Sequence, residues 1–235
     1  MTFKDCDKLI KCKKYNEGLC PIKNPNVDPF CIKWFKIDTL QNESLLEDRQ
    51  KKDIPLVLDD DGADRDAYMR LKQIQSQVES FVEQGGNIFI WSSNTGNGKS
   101  TFACKIINSF IDKIWYKSDL KCRCLFINVP KLLISLRDNI TQKSDYVSHI
   151  KENVLTADIV VWDDIGTKGF TTFDMENLFN FIDSRLSAGK ANIYTSNLMG
   201  EYLQEAIGDR LYSRVVNTSE IIQFVGKDKR GIKVR

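Results

Sequence analysis

The run Ile88-Phe89-Ile90-Trp91 empties into Ser92-Ser93-Asn94-Thr95-Gly96-Asn97-Gly98-Lys99-Ser100, and few folds accommodate that junction. Downstream, apolar residues recur at Phe102, Ile106, Ile107, Phe110, Ile111 and Ile114, which is helical spacing. Strand, glycine-rich turn and helix in this order make a phosphate-binding loop. Glycines let backbone N–H groups turn inward, a lysine serves the β- and γ-phosphates, and a hydroxyl serves Mg²⁺. Gly96, Asn97, Gly98, Lys99, Ser100 and Thr101 are therefore the candidate nucleotide-binding residues. The first glycine of the full G-x-x-x-x-G-K-[ST] pattern is Ser93 here, which leaves the anion-cradling half intact.

A second nucleotide signature lies about sixty residues further on. Ala157-Asp158-Ile159-Val160-Val161-Trp162 reads as an apolar strand, and it ends in Asp163-Asp164-Ile165-Gly166. Beside a phosphate loop in a parallel sheet, Asp163 is expected to complete the Mg²⁺ shell with Ser100. Asp164 is expected to polarise the attacking water. It is one methylene shorter than a glutamate in that role, so hydrolysis is expected to be slow and the chain to act more as an ATP-dependent switch than as a motor.

The 235 residues suffice for one α/β domain and a small appendage. No apolar run approaches the ~18 residues of a membrane span, and the charged start Met1-Thr2-Phe3-Lys4-Asp5-Cys6 lacks a signal-peptide core, so a cytoplasmic protein with no membrane partner is expected. A formal net charge of +2 argues against nucleic-acid binding by bulk electrostatics alone. The charge is uneven, however: Lys227, Lys229, Arg230, Lys233 and Arg235 stand against the single Asp228 at the C-terminal end.

Cysteines divide into two groups. Cys104, Cys122 and Cys124 sit in apolar contexts and read as core thiols. Cys6, Cys12, Cys20 and Cys31 crowd into a stretch with little else to build a core, and four thiolates are what a closed tetrahedral Zn²⁺ site takes. Their spacing lacks a C-x₂-C knuckle, so an iron–sulfur cluster and unliganded thiols stay open as alternatives. His149, the single histidine, reads as a surface residue.

Along the chain, residues 1–40 form the cysteine-rich unit, 41–65 a linker and 66–235 the ATPase domain. Ala67 to Gln84 has the pattern of an amphipathic helix stopped by Gly85-Gly86. Strands are predicted at 88–91, 124–128, 158–162, 192–195 and 220–224. Helices are predicted at 100–114, 130–138, 144–155 and 172–187, and the alternation gives a three-layer α/β fold with a parallel sheet.

Three further segments narrow the group: Ala191-Asn192-Ile193-Tyr194-Thr195-Ser196-Asn197-Leu198, Gly208-Asp209-Arg210-Leu211-Tyr212-Ser213-Arg214, and Gly226-Lys227-Asp228-Lys229-Arg230. With Gly-Asn-Gly-Lys-Ser and Asp-Asp-Ile-Gly, they make residues 65–230 resemble the bacterial and phage replicative helicase loaders of the DnaC/DnaI type, AAA+ ATPases related to the IstB transposition helpers. The resemblance implies an ATP-dependent oligomer that loads a DnaB-type replicative helicase onto single-stranded DNA. It implies Asn197 as the sensor at the end of the fourth strand, with Ser196 its neighbour. Arg214 becomes the arginine finger reaching a neighbouring subunit's ATP, Arg230 a second sensor acting in cis, and the cysteine unit a helicase-docking module. Arg210 is expected to serve packing or a salt bridge. Lys131, Lys168 and Phe170 are candidate DNA contacts, since a basic residue near an aromatic can track phosphates and stack bases. Two other functions stay open: a transposition helper of the IstB kind, and an ATP-binding adaptor with little turnover.

Overall fold

The computed structural model describes residues 32–53, 62–140, 142–166 and 170–229. Five short apolar runs form a parallel sheet: β1 (Asn87–Trp91), β2 (Cys124–Asn128), β3 (Ile159–Asp163), β4 (Ala191–Ser196) and β5 (Glu220–Gln223). Their order is β2-β3-β4-β1-β5, and every neighbouring pair is parallel. Parallel neighbours need crossover connections, and the helices that supply them cover both faces of the sheet.

Strand side chains alternate between two cores. Ile88, Ile90, Phe126, Val161 and Ile193 face α1 (Ile32–Glu43), α2 (Arg65–Ser76), α3 (Val78–Glu83) and α4 (Lys99–Ile114). Phe89, Ile127, Trp162 and Tyr194 face α5 (Val129–Asp138), α6 (Asp145–Asn153), α7 (Thr172–Ser187), α8 (Glu201–Ile207) and α9 (Asp209–Val216). The result is the three-layer α/β architecture that the alternating pattern predicts, with each strand within a residue of its expected place. Local signals set the helix starts. Asn128 caps α5 by accepting the Lys131 N–H, and Thr171 with Asp174 forms a reciprocal capping box at α7. The single helix expected over 67–84 is divided by a non-helical turn at Gln77 (φ −107°, ψ 28°), while Leu71, Ile74 and Val78 still bury one face.

Residues around the expected boundary at 40/41 are built into the domain. Helix α1 crosses it, and Leu40 and Leu46 enter the core with α4 and the sheet. The Ser44 carbonyl accepts the Phe126 N–H at 2.8 Å, which gives β2 a backbone partner on its outer edge. Side chains of α4 hold the same stretch: Asn108 donates to the Gln50 carbonyl at 2.8 Å, and Lys105 pairs with Asp53. His149 reaches the Glu43 carbonyl at 2.8 Å. Apolar burial plus these bonds ties residues 41–53 to the phosphate-loop helix.

Under α7 a guanidinium is buried on neutral acceptors. Arg185 donates to Asn192 Oδ1 and to the carbonyls of Val154, Ala157 and Ala191 at 2.6–2.8 Å. Those bonds replace hydration, although burial still lowers its pKa to about 10. Cys104, Cys122 and Cys124 are free buried thiols, and burial pushes the last two up to about 12. Among the described residues no helix is long and apolar enough to cross a membrane.

Candidate nucleotide-binding site

All the sheet's polar ends emerge on one edge, where β1, β3 and β4 finish. In open parallel sheets that edge, outside the carboxyl ends of the strands, is where ligands bind. One residue past β1, the Ser92 N–H donates to the Ser196 carbonyl at 3.2 Å, so the loop starts from a fixed point against β4. Ser92 Oγ then accepts the Asn94 N–H at 3.1 Å and the Asn97 side-chain amide at 2.7 Å, which folds the loop back on itself. Gly96 and Gly98 sit at φ 70° and 104°, a region costly for any residue with a Cβ. Gly98 caps α4 with no side-chain bond to its first turn, so no side chain competes for the amides at the positive end of the helix. Lys99 Nζ donates to the Asn94 carbonyl at 2.8 Å and to Asn97 Oδ1 at 3.2 Å, and the residue is 7% exposed. Ser100 and Thr101 are half-buried beside it.

Asp163 ends β3 directly across from this loop. Its Oδ1 accepts the Thr195 hydroxyl at 2.7 Å, and the Ser100 and Asn128 side chains lie close enough to the carboxylate to favour its charged form. The hydroxyl of one motif and the carboxylate of the other thus meet. Burial raises the Asp163 pKa, and the neighbouring Asp164 adds to the rise; the polar side chains of Ser100, Thr195 and Asn128 work the other way. A divalent cation at this spot would offset both penalties. The donor set, a buried carboxylate, a serine hydroxyl, a lysine and uncapped helix amides, fits a nucleotide triphosphate with Mg²⁺.

Asp164 adopts φ 61°, left-handed for a residue with a side chain. Two contacts hold it there. Its N–H donates to Thr195 Oγ1 at 2.9 Å, and its Oδ1 accepts the Asn197 amide at 3.1 Å. Asn197 therefore lies against the expected water-polarising acid. Ser196 has a different place: it is 1% exposed, and its hydroxyl donates to the Ile165 carbonyl at 2.6 Å and accepts the Leu198 N–H at 3.0 Å. That braces the two loops against each other.

The sequence shows Thr195 within a strand that ends in polar side chains, but it marks neither Thr195 nor Asn128 as a partner of Asp163. Asn128 pairs in register with Asp163, and Trp162 pairs with Tyr194, so the next step of β4 brings Thr195 to the other side of Asp163. Polar residues ending apolar strands were the available signal, but only the strand order shows that they flank one carboxylate.

The arginines of α9 meet α7. Arg210 lies with its guanidinium carbon 4.3 Å from the Phe179 ring centroid, and Arg214 Nε donates to Asp183 Oδ1 at 2.5 Å. The Arg214 side chain is 47% exposed. Lys131 Nζ stands 4.9 Å from the Tyr146 ring centroid, and Phe170 packs against the second core. Arg230, Lys168 and the four cysteines Cys6, Cys12, Cys20 and Cys31 lie outside the described residues.

A family model described as IstB-like ATP binding protein matches residues 61–233. No curated protein matches the sequence. Among solved structures, that of DnaI is similar with a TM-score of 0.57 at 16% identity, over 81% of this chain and 100% of that one. Domain III of the Thermotoga maritima replication initiation protein DnaA gives 0.55 at 20% identity, over 71% of this chain and 64% of that one. The replication initiator DnaA bound to AMPPCP and single-stranded DNA gives 0.56 at 16% identity, over 72% of this chain and 48% of that one. These likenesses are likenesses of fold alone.

Proposed function

The chain belongs to the IstB-like ATP binding protein family, and from that premise we propose that it is an ATP-switched loader of a ring-shaped replicative helicase onto single-stranded DNA. The observation that carries the nucleotide half of this reading is the meeting of Ser100 with Asp163 at the mouth of the phosphate loop. Lys99 and the first amides of α4 would hold the β- and γ-phosphates, with Asn97 keeping the loop closed around Ser92. Ser100 and Asp163 would hold Mg²⁺, which neutralises phosphate charge when bound. Asp164, positioned by Asn197, would orient the attacking water and accept its proton. Its short side chain and its fixed left-handed backbone suit slow turnover, so that the bound nucleotide marks a state of the assembly.

The DNA and helicase halves draw on what the similar structures are: DnaI on one side, and an initiator bound to single-stranded DNA on the other. Arg230 as a cis sensor, Arg214 as a finger in trans, and Lys131, Lys168 and Phe170 as DNA contacts belong to this proposal. So does residues 1–40 as the helicase-docking unit. A transposition helper is the second reading, favoured by the family description itself. Four cysteines in the first 31 residues separate the two, because a metal-bound docking module serves a helicase partner. Purified full-length chain is expected to carry about one equivalent of Zn²⁺ on Cys6, Cys12, Cys20 and Cys31. Chelation is then expected to release a DnaB-type helicase in a pull-down while ATP binding persists, since structural zinc holds its own small unit folded. Less than about half an equivalent of metal by elemental analysis, with all four thiols titratable, would overturn the site.

A further inference from the structure

Asp64 lies outside both nucleotide motifs and is 1% exposed. Its Oδ1 accepts two consecutive backbone N–H groups, Val225 at 2.7 Å and Gly226 at 3.0 Å, and its Oδ2 stands 3.6 Å from Lys229 Nζ. The carbonyls of the same two residues are taken by the phosphate loop: the Asn94 side-chain amide donates to Val225 at 3.0 Å and to Gly226 at 3.2 Å. Further on, the Lys229 N–H donates to the Gly96 carbonyl at 2.9 Å. A short segment after β5 is thus gripped through its N–H groups by Asp64, at the N-terminal end of α2, and through its carbonyls by the loop.

Asn94 links this grip to Lys99, because its own carbonyl accepts the Lys99 ammonium. We propose that Asp64 is a positioning residue for nucleotide binding: it holds the 225–229 segment as a strap across the phosphate loop, and the strap sets the loop geometry from which Lys99 and the amides of Gly96 to Gly98 work. The inference rests on the nucleotide-site reading above. A buried carboxylate placed on two successive amides and a lysine is a stronger anchor than packing alone, because loss of any acceptor leaves buried donors unpaired. Coupling of this kind is reciprocal, so ATP must also tighten the strap.

The test uses the full chain and measures ATP affinity alongside thermal stability and amide exchange. Asp64→Ala is expected to weaken ATP binding about tenfold, within the range that coupling between two positions spans. Asp64→Asn keeps an acceptor for the two amides and is expected to restore most of that loss. Asn94→Ala acts on the exposed end of the same grip; it is expected to weaken binding by a similar factor with the melting temperature nearly unchanged. ATP is expected to slow exchange of the Val225 and Gly226 amides in the wild type and to lose that effect in Asn94→Ala. A lowered melting temperature in Asp64→Ala with wild-type ATP affinity, or Asn94→Ala binding ATP as the wild type does, would overturn the strap while leaving the nucleotide site standing. If the wild-type chain itself bound no ATP, the site and the strap would fall together.

Discussion

Lys99→Ala is expected to abolish tight ATP binding, by on the order of a hundredfold or more. The ammonium is held inside the loop by the Asn94 carbonyl and Asn97 Oδ1, at the N-terminus of a helix whose first turn has no side-chain cap. Hydrogen bonds to charged groups are worth about 1.5–3 kcal/mol each, and two such bonds to phosphate oxygens amount to at least two decades in affinity. Stability should change less than affinity, because the acceptors left behind sit at the loop surface or can exchange partners with Ser92. Asp163→Ala supplies the complementary result. It should spare part of the nucleotide affinity and remove Mg²⁺-dependent turnover, since the carboxylate meets Ser100 and not the loop amides. Calorimetric titration with ATP, with and without Mg²⁺, measures both. Wild-type affinity in Lys99→Ala would remove the phosphate-loop reading.

Arg214→Ala is expected to separate binding from turnover: the monomer keeps its ATP affinity, while hydrolysis falls on the order of 10³-fold and ATP-driven assembly is lost. Within one chain Arg214 is paired with Asp183 on the outside of α7, with its side chain 47% exposed. An exposed pair of this kind contributes about 1 kcal/mol at most, so exchanging Asp183 for a phosphate across a subunit boundary costs little. Mixing Arg214→Ala with Lys99→Ala should restore part of the activity. The first protein brings an intact nucleotide site and the second brings the arginine that site needs. Arg210→Ala is the contrast. Its guanidinium lies over Phe179, so its loss should lower stability by about 1 kcal/mol without a specific effect on hydrolysis. Normal hydrolysis by Arg214→Ala, or no gain on mixing, would remove the shared site.

What was legible in the sequence follows from range. The phosphate loop, the Asp163-Asp164 pair and the helix over 172–187 are each written in consecutive residues, where periodicity and turn chemistry act locally. Thr195, Asn128 and Asp64 were not legible as site residues, because each acts on a partner distant in sequence. Asp64 and Val225 meet only once β5 lies beside β1. Residues 41–53 read as a linker for a related reason. Their polar composition hides Leu46, which with Leu40 just before them is buried on the particular face that α4 offers. Arg210 and Arg214 were visible as a pair four apart on one helix face, yet their partners Phe179 and Asp183, also four apart, appear only when α9 packs on α7.

In the proposed function, ATP held between Ser100, Lys99 and Asp163 governs the placing of a helicase ring on DNA. The most direct measurement of this is the retention of a hexameric DnaB-type helicase on closed circular single-stranded DNA, which a ring can enter only by opening. The expected result is retention that requires both this chain and ATP, and that disappears with Lys99→Ala. Equal retention without ATP, or with Lys99→Ala in place of the wild type, would contradict it.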